Sequence, residues 1–148
     1  MADVSPSRLM IPALGRFYRV LAPWTELLIR LVAGLSLIPH GYPKLLNPAG
    51  AAGFFAQSGY RPGMLWAVVV GCTEVFGGLF LALGLFTRLA CIPILIFLIT
   101  AITYHQQFGF VWNNRGFEYP LFWAIVVLHF LANGGGPYSL DAHLPREV

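Results

Sequence analysis

The chain has 148 residues, of which 57% are hydrophobic and only 10% are charged, and its mean hydropathy is +0.70. A soluble domain carries about 25% charged residues, so this composition excludes an ordinary water-soluble globule, and the length excludes a second domain of ordinary size. The net charge of +3 comes from basic residues that are scattered singly. This scatter favours contact with anionic lipid headgroups and argues against nucleic acid as a partner.

Residues 1–21 are predicted to form a short cytoplasmic segment that lies in the membrane interface. The stretch mixes Arg8, Arg16 and Arg19 with aliphatic and aromatic residues, and it is too charged to cross a bilayer. A disordered tail is the alternative. A removed signal peptide is not expected, because the N-terminus lacks a basic region followed by an apolar core and a cleavage site.

Four apolar stretches predict an all-α membrane protein built as a bundle of four transmembrane helices. The predicted spans are residues 22–39, 64–86, 89–104 and 119–132. The last two are short for a hydrocarbon core of about 30 Å, but neither has a polar face. The short link at Thr87 and Arg88 predicts an antiparallel hairpin of the second and third helices. Residues 22–133 would form the transmembrane domain and residues 134–148 a C-terminal tail.

The long first loop, residues 40–63, is predicted to contain a short surface helix over residues 49–57. Asn47 is a typical helix N-cap, and Pro48 suits the first helical position. The second wide loop covers residues 105–118 and is polar with large aromatic residues.

Basic residues predict the orientation of the bundle. Five lie on the side of the termini and of the hairpin turn, and three lie on the opposite side; the five are Arg8, Arg16, Arg19, Arg88 and Arg146, and the three are Lys44, Arg61 and Arg115. The excess predicts that both termini lie in the cytoplasm.

Ionisable residues at membrane depth are the most informative feature. Arg30 and Glu74 fall within the first and second predicted spans, where an unpaired charge costs at least about 2.5–3.5 kcal/mol. Counting residues from the span ends predicts that the two pair with each other, with His129 near the same level. A buried pair of this kind most simply fixes the helix register.

A second polar group is predicted at the outer mouth of the bundle: His40, Lys44, His105 and Glu118, beside the aromatic Trp112. Histidine can change its charge near neutral pH, and aromatic side chains can stack on a quinone ring. The group is therefore either structural or a proton- or quinone-linked site. No spacing of metal ligands supports a metal site. Cys72 and Cys91 lie in apolar stretches and are interpreted as packing residues.

Four segments together resemble the DoxX family of small bacterial membrane proteins. They are residues 30–48, 71–90, 103–121 and 133–144, which carry HGxxK, ExxGGxxLxLGLxTR, GxEYP and GGGxYSLD in that order. The resemblance implies a four-helix inner-membrane protein. It also implies a link to membrane redox systems, since the family resembles the membrane subunit of a thiosulfate:quinone oxidoreductase. Asp141 falls inside the last motif, where a helix cap or turn residue is the simpler interpretation.

Three functions stay open at this point. The first is an accessory or quinone-facing subunit of a membrane redox system, with quinone as its possible cofactor. The second is a non-catalytic assembly subunit that packs against a larger membrane complex or against itself, and the third is an oligomeric transporter or channel. The small extramembrane mass argues against a stand-alone enzyme.

Overall fold

The structure, a computed structural model, describes residues 9–145. Within that range the regular secondary structure is helical, which confirms the predicted all-α class. The predictions that concern residues 1–8, which include Arg8 and the absence of a signal peptide, lie outside the described residues. The same is true of Arg146.

Helix α1 runs from Gly15 to Leu46, after a 3-10 turn at Pro12–Leu14. It begins inside the predicted interfacial segment and continues past the predicted end of the first span. The prediction that a loop starts at residue 40 is wrong, because α1 continues through Pro39 and Pro43. Proline usually ends a soluble helix, but membrane helices tolerate it where neighbouring helices support the backbone. The interfacial location of residues 1–21 stays a prediction.

Helix α2, Pro48–Gln57, follows directly and confirms the short helix that was predicted, whereas its position on the membrane surface stays a prediction. The side-chain oxygen of Asn47 accepts a hydrogen bond from the Gly50 N–H at 3.0 Å, as the cap prediction requires. The sharp change of direction at Asn47 folds α2 back toward the next helix.

The second apolar stretch forms three consecutive helical pieces. Helix α3 is Gly63–Cys72, a π-helical turn covers Thr73–Gly77, and helix α4 is Gly78–Leu83. The chain then reverses at Gly84, whose φ of +65° is readily adopted by glycine, and enters helix α5, Thr87–His105. The predicted helical hairpin is therefore present, but its turn covers residues 84–86, and the predicted link at Thr87 and Arg88 forms the start of α5.

Helix α6, Glu118–Asn133, packs along α5 after a loop that contains two 3-10 turns, Gln106–Phe108 and Trp112–Asn114. Three helical stretches are long and apolar enough to cross a membrane: Pro12–Leu46, Gly63–Leu83 and Thr87–Phe108. Helix α6 has 16 residues, or about 24 Å, against a core of about 30 Å. A fourth crossing therefore stays a prediction.

Close contact between α1 and α4 sets the register of the bundle. A Cβ at Gly34 would collide with backbone atoms of Gly78 and Ala82, so only glycine permits this approach. The core beside this contact is apolar, and it includes Cys91 with no exposed surface, as expected for a packing residue. Its buried members are Ala33, Leu37, Leu81, Cys91, Ile94, Leu98, Ala124, Val127 and Phe130.

The C-terminal segment, residues 134–145, folds back onto the end of the bundle where α4 meets α5. The Leu140 N–H donates to the Leu83 carbonyl at 3.2 Å, and the Asp141 N–H donates to the Gly84 carbonyl at 2.8 Å. A 3-10 turn at Asp141–His143 follows. The described part of the tail is thus docked rather than a free polar end.

Candidate functional site

Arg30 is 1% exposed and anchors the docked tail. Its guanidinium donates to the backbone carbonyls of Ala82 at 3.3 Å, Tyr138 at 2.8 Å, and Gly135. The predicted Arg30–Glu74 pair is therefore wrong.

The register of the helices explains the error. Gly34 lies against Gly78 and Ala82, whereas Glu74 lies against Gly41. Arg30 and Gly41 are eleven residues apart, which is about 16 Å along a helix axis. The span ends that were assumed from hydropathy shifted α1 against its neighbour and placed the two charges at nearly the same depth.

Asp141 completes the same end of the bundle by capping α5 from a distant part of the chain. Its carboxylate accepts hydrogen bonds from the Phe86 N–H at 2.6 Å, the Thr87 N–H at 2.8 Å and the Thr87 hydroxyl at 2.6 Å. A negative charge at a helix N-terminus is favourable. The cap interpretation of Asp141 is therefore correct, and Arg30 and Asp141 act together as anchors of the tail.

His129 lies on the outside of this end, and its contact is with Glu26, which sequence reasoning missed. The imidazole Nε2 is 3.6 Å from one carboxylate oxygen of Glu26, and His129 is 52% exposed. The second carboxylate oxygen of Glu26 is buried and has no hydrogen-bond partner within residues 9–145. One signal was available, since Glu26 precedes Arg30 by one helical turn.

Glu74 lies at the opposite level, in the π-helical turn, with its side chain only 3% exposed. The Lys44 ammonium donates to its carboxylate at 2.7 Å and to the His40 carbonyl at 2.7 Å. Lys44, which was predicted to lie at the outer mouth, thus pairs with Glu74, which was predicted to pair with Arg30. π-Helical turns occur frequently at functional sites, and this one was not visible in the sequence pattern.

A small cavity of about 170 Å³ lies beside Glu74. Its polar lining comes from α1, the π-helical turn, α5 and α6, and consists of Ser36, His40, Glu74, His105 and Tyr119. Trp123 also lines it, and the buried indole N–H of Trp123 has no acceptor in the described part of the chain. The small cavity therefore gathers polar groups at membrane depth.

A larger cavity of about 500 Å³ lies on the other side of the ion pair, between α3 and α5 and beneath α2. Its walls are mainly aromatic and aliphatic, with aromatic rings from Phe54, Phe55, Tyr60, Trp66, Phe97 and Tyr104. Lys44 and His105 also line it, together with the hydroxyls of Ser58, Thr73 and Thr100. Apolar walls with a few polar groups are typical of small-molecule sites.

His105 lines both cavities, and its contacts fix which ring nitrogen carries the proton. The Nδ1 atom lies 2.5 Å from the Arg115 carbonyl oxygen, which can only accept a hydrogen bond. Nδ1 therefore carries hydrogen, and in the neutral ring Nε2 is left as an acceptor.

The remaining predicted outer residues stabilise the loop instead. One Glu118 oxygen accepts the Trp112 N–H at 3.1 Å, and Trp112 itself is 66% exposed. Neither residue lines either cavity. Of the outer group, the structure therefore brings His40, Lys44 and His105 to the cavities and leaves Glu118 and Trp112 in the loop.

The profile of the DoxX family matches residues 25–107, which is more than half of the chain and includes Lys44, Glu74 and His105. The chain belongs to the DoxX family. It is therefore an integral membrane protein, and its apolar helices lie in contact with lipid.

Two curated relatives resemble this DoxX protein over most of its length. The "Uncharacterized membrane protein Rv3486" of Mycobacterium tuberculosis is 28% identical over 93% of this chain and 91% of its own. The "Putative oxidoreductase CatD" of Bacillus subtilis is 29% identical over 78% of this chain and 83% of its own. Comparison with solved structures finds no match.

Proposed function

We propose that this DoxX protein is a quinone-facing accessory subunit of a membrane redox system, and that its larger cavity holds the quinone ring. The observation that carries the proposal is an aromatic cavity of about 500 Å³ with Lys44 and His105 in its wall. Ligand cavities typically measure about 300–1,000 Å³. A bound quinone would supply reversible two-electron redox chemistry.

The polar groups of the cavity suit the oxygens of a quinone. The Lys44 ammonium has three N–H bonds, and it uses two of them on the His40 carbonyl and on Glu74. The third N–H can donate to a quinone carbonyl. His105 Nε2 is an acceptor and can receive the hydroxyl of the reduced, quinol form.

Entry from the bilayer is consistent with where the rim of the larger cavity lies. Trp66 and Val69 on α3 and Ile96 on α5 line the cavity and are also exposed on the outside of the bundle. Because these helices face lipid, a hydrophobic ligand would reach the cavity without passing through water.

The electrons would come from a separate redox subunit. Residues 9–145 are occupied by membrane-length helices, short connections and a docked tail, which leaves no room for a flavin- or nucleotide-binding domain. The name of the Bacillus subtilis relative includes the word oxidoreductase, which supports a redox setting. We therefore propose an accessory role rather than a stand-alone enzyme.

For topology, we propose four crossings of a bacterial inner membrane with both termini in the cytoplasm. The basic residues of the full sequence support this orientation, five against three. Arg88 lies at the tail end of the bundle, whereas Lys44 and Arg115 lie at the cavity end. The cavities would then lie near the outer surface.

Quinone binding to the purified protein tests the proposal. The protein, depleted of native lipid in detergent, is titrated with short-tailed ubiquinone and menaquinone analogues by calorimetry. Ala101 lines both cavities, so Ala101→Phe places a phenyl ring in the space that the ligand would occupy. We expect the dissociation constant to rise about tenfold or more, which corresponds to about 1.4 kcal/mol of binding free energy. Ala132→Phe makes the same change on an exposed position outside both cavities and should bind as the wild type does.

Lys44→Met is a second variant, and it should weaken binding because it removes the donor to the carbonyl oxygen. Saturable binding by the wild type that Ala101→Phe weakens and Ala132→Phe preserves would support the site. Absence of saturable binding to the wild-type protein, or equal binding by Ala101→Phe, contradicts the proposal.

A second candidate is an assembly subunit, which is favoured by exposed aromatic residues of the α5–α6 loop. Phe110 is 53% exposed and Trp112 is 66% exposed, and such side chains can form a docking surface. Native gels of mild-detergent extracts test this role. The wild type should migrate in a larger complex and a Phe110→Ser, Trp112→Ser double variant should not; migration of the wild type as a monomer contradicts it.

A further inference from the structure

The two cavities meet at one wall, and the Lys44–Glu74 ion pair bridges them. Phe97, Ala101 and His105 line both cavities. Lys44 lines only the larger one, Glu74 lines only the smaller one, and their charged atoms are 2.7 Å apart. A change in the charge of Glu74 would therefore act directly on the donor that faces the larger cavity.

The chemistry of the small cavity suits water. A volume of about 170 Å³ accommodates several water molecules, since one molecule of liquid water takes up about 30 Å³. Its walls supply a carboxylate, two imidazoles and two hydroxyls, and the Trp123 indole N–H is a buried donor that no described residue satisfies. Water occupies cavities that are both roomy and polar, because it completes hydrogen bonds that would otherwise be missing.

The small cavity also reaches the surface of the bundle. His40 and Tyr119 line it and are exposed, whereas Glu74 lies at its buried side. The exposed imidazole of His40 therefore lies at the surface end of the small cavity, where a proton path would begin.

We infer that the small cavity is a water-filled proton path that connects the outer surface, through His40, to the carboxylate of Glu74. The inference deepens the proposed function, on which it rests for the identity of the ligand and for the side of the membrane that the cavities face. A proton from bulk water passes to His40 and along the cavity water, and an O–H bond forms on Glu74. The carboxyl group is then neutral, its ion pair with Lys44 is lost, and the ammonium is free to bind a ligand oxygen.

The groups that face Glu74 fit this role. Helix α1 contributes Lys44 and His40, α5 contributes His105, and α6 contributes the Tyr119 hydroxyl. Lys44 is the cation that pairs with the charged carboxylate of Glu74, at 2.7 Å. A ligand oxygen that competes for the Lys44 ammonium would weaken this ion pair, and the protonated carboxyl group does not need it.

The experiment follows the carboxyl band of Glu74 by infrared difference spectroscopy, with the full-length protein in lipid and without added quinone. Lowering the pH should produce a protonated-carboxyl band that Glu74→Gln removes and Glu118→Gln retains, because Glu118 lies outside the cavity. After transfer to heavy water, this band should shift quickly in the wild type. His40→Ala should slow the shift about 100-fold, and added imidazole should restore it.

Ser36→Leu provides a second test, since it replaces a polar lining group with a bulky apolar one and should also slow the shift. Circular dichroism and elution volume confirm that each variant is folded. A carboxyl band that persists in Glu74→Gln, or a shift whose rate neither His40→Ala nor Ser36→Leu changes, overturns the inference. Failure of quinone binding overturns the proposed function instead, so the two results are separable.

Discussion

Replacing Arg30 with methionine should release the C-terminal tail while leaving the helices in place. Methionine keeps much of the length of the side chain but removes the donors to the Gly135 and Tyr138 carbonyls. A hydrogen bond to a charged group contributes about 1.5–3 kcal/mol net, and the cost of burying the guanidinium offsets part of the gain. We therefore expect the docked state to lose about 3 kcal/mol, so the undocked population rises about 100-fold.

Hydrogen exchange measured by mass spectrometry detects this change. Peptides that cover residues 134–145 should exchange about 100-fold faster, because the amides of Leu140 and Asp141 lose their protection when the tail undocks. Peptides from α6 should be unchanged. The tail of Arg30→Lys should exchange at a rate between those of the wild type and Arg30→Met. A lysine ammonium keeps the charge but cannot reproduce the planar set of donors of a guanidinium.

Arg19→Met is the matched control, since it removes an exposed arginine from the same helix. It should leave exchange in the tail unchanged. Tail exchange in Arg30→Met that equals the wild-type rate would refute the role of Arg30 as the anchor. Faster exchange across all helices would show that Arg30 supports the whole bundle rather than the tail.

Three further predictions concern packing, charge pairing and topology. Gly34→Ala should destabilise the protein by about 1–3 kcal/mol and lower its melting temperature, because the added Cβ would collide with the backbone of α4. Gly53→Ala is the control, since its Cβ would meet nothing within 4 Å, and it should leave the melting temperature unchanged. Equal melting temperatures of the two variants would contradict the packing argument. Lys44→Met should cost at most about 3–5 kcal/mol in thermal or denaturant unfolding, because buried Glu74 must then stay ionised without its ion pair or take up a proton. Adding Glu74→Leu should recover most of the loss, and a double variant as unstable as the single one opposes this account. Trp112→Cys in a cysteine-free background should react with an impermeant maleimide added outside intact cells, and labelling only after lysis reverses the proposed orientation.

The sequence predicted those features reliably that depend on a few neighbouring residues, such as the presence of a helix or the residue that caps it. The apolar runs predicted the helices, and Asn47 with Pro48 predicted the start of α2, because capping depends on a few neighbouring residues. Asp141 was interpreted correctly as a cap, although the helix that it caps lies more than fifty residues earlier in the chain. The role of Asp141 as a helix cap was predictable, but the identity of the capped helix, α5, was not.

Contacts between helices were predicted poorly, because they depend on register. The apolar stretches do not show where α1 begins and ends, and a helix that continues through Pro39 moves His40 and Lys44 from a loop into the bundle. The same uncertainty assigned Glu74 to Arg30 rather than to Lys44. The glycines of α1 and α4 carried the missing information, since their close approach fixes which levels face each other.

The docked tail was not predicted because it has no hydrophobic period. The run of glycines from Gly134 to Gly136 is typical of a turn, and nothing in it indicates that the Gly135 carbonyl accepts a hydrogen bond from Arg30 in the first helix. Likewise, the cavity role of Trp123 was missed because a tryptophan in an apolar helix resembles any other packing residue. Both features arise from tertiary structure alone.

The link between Arg30 and the tail has a consequence for how the protein is made. The arginine is synthesised early, yet two of its three acceptors lie 105 and 108 positions later in the chain. During synthesis the Ala82 carbonyl becomes available first, whereas these two acceptors emerge only when nearly the whole polypeptide has been made. A chain that terminates before Gly135 lacks both of these acceptors, so its Arg30 keeps only the Ala82 carbonyl of the three.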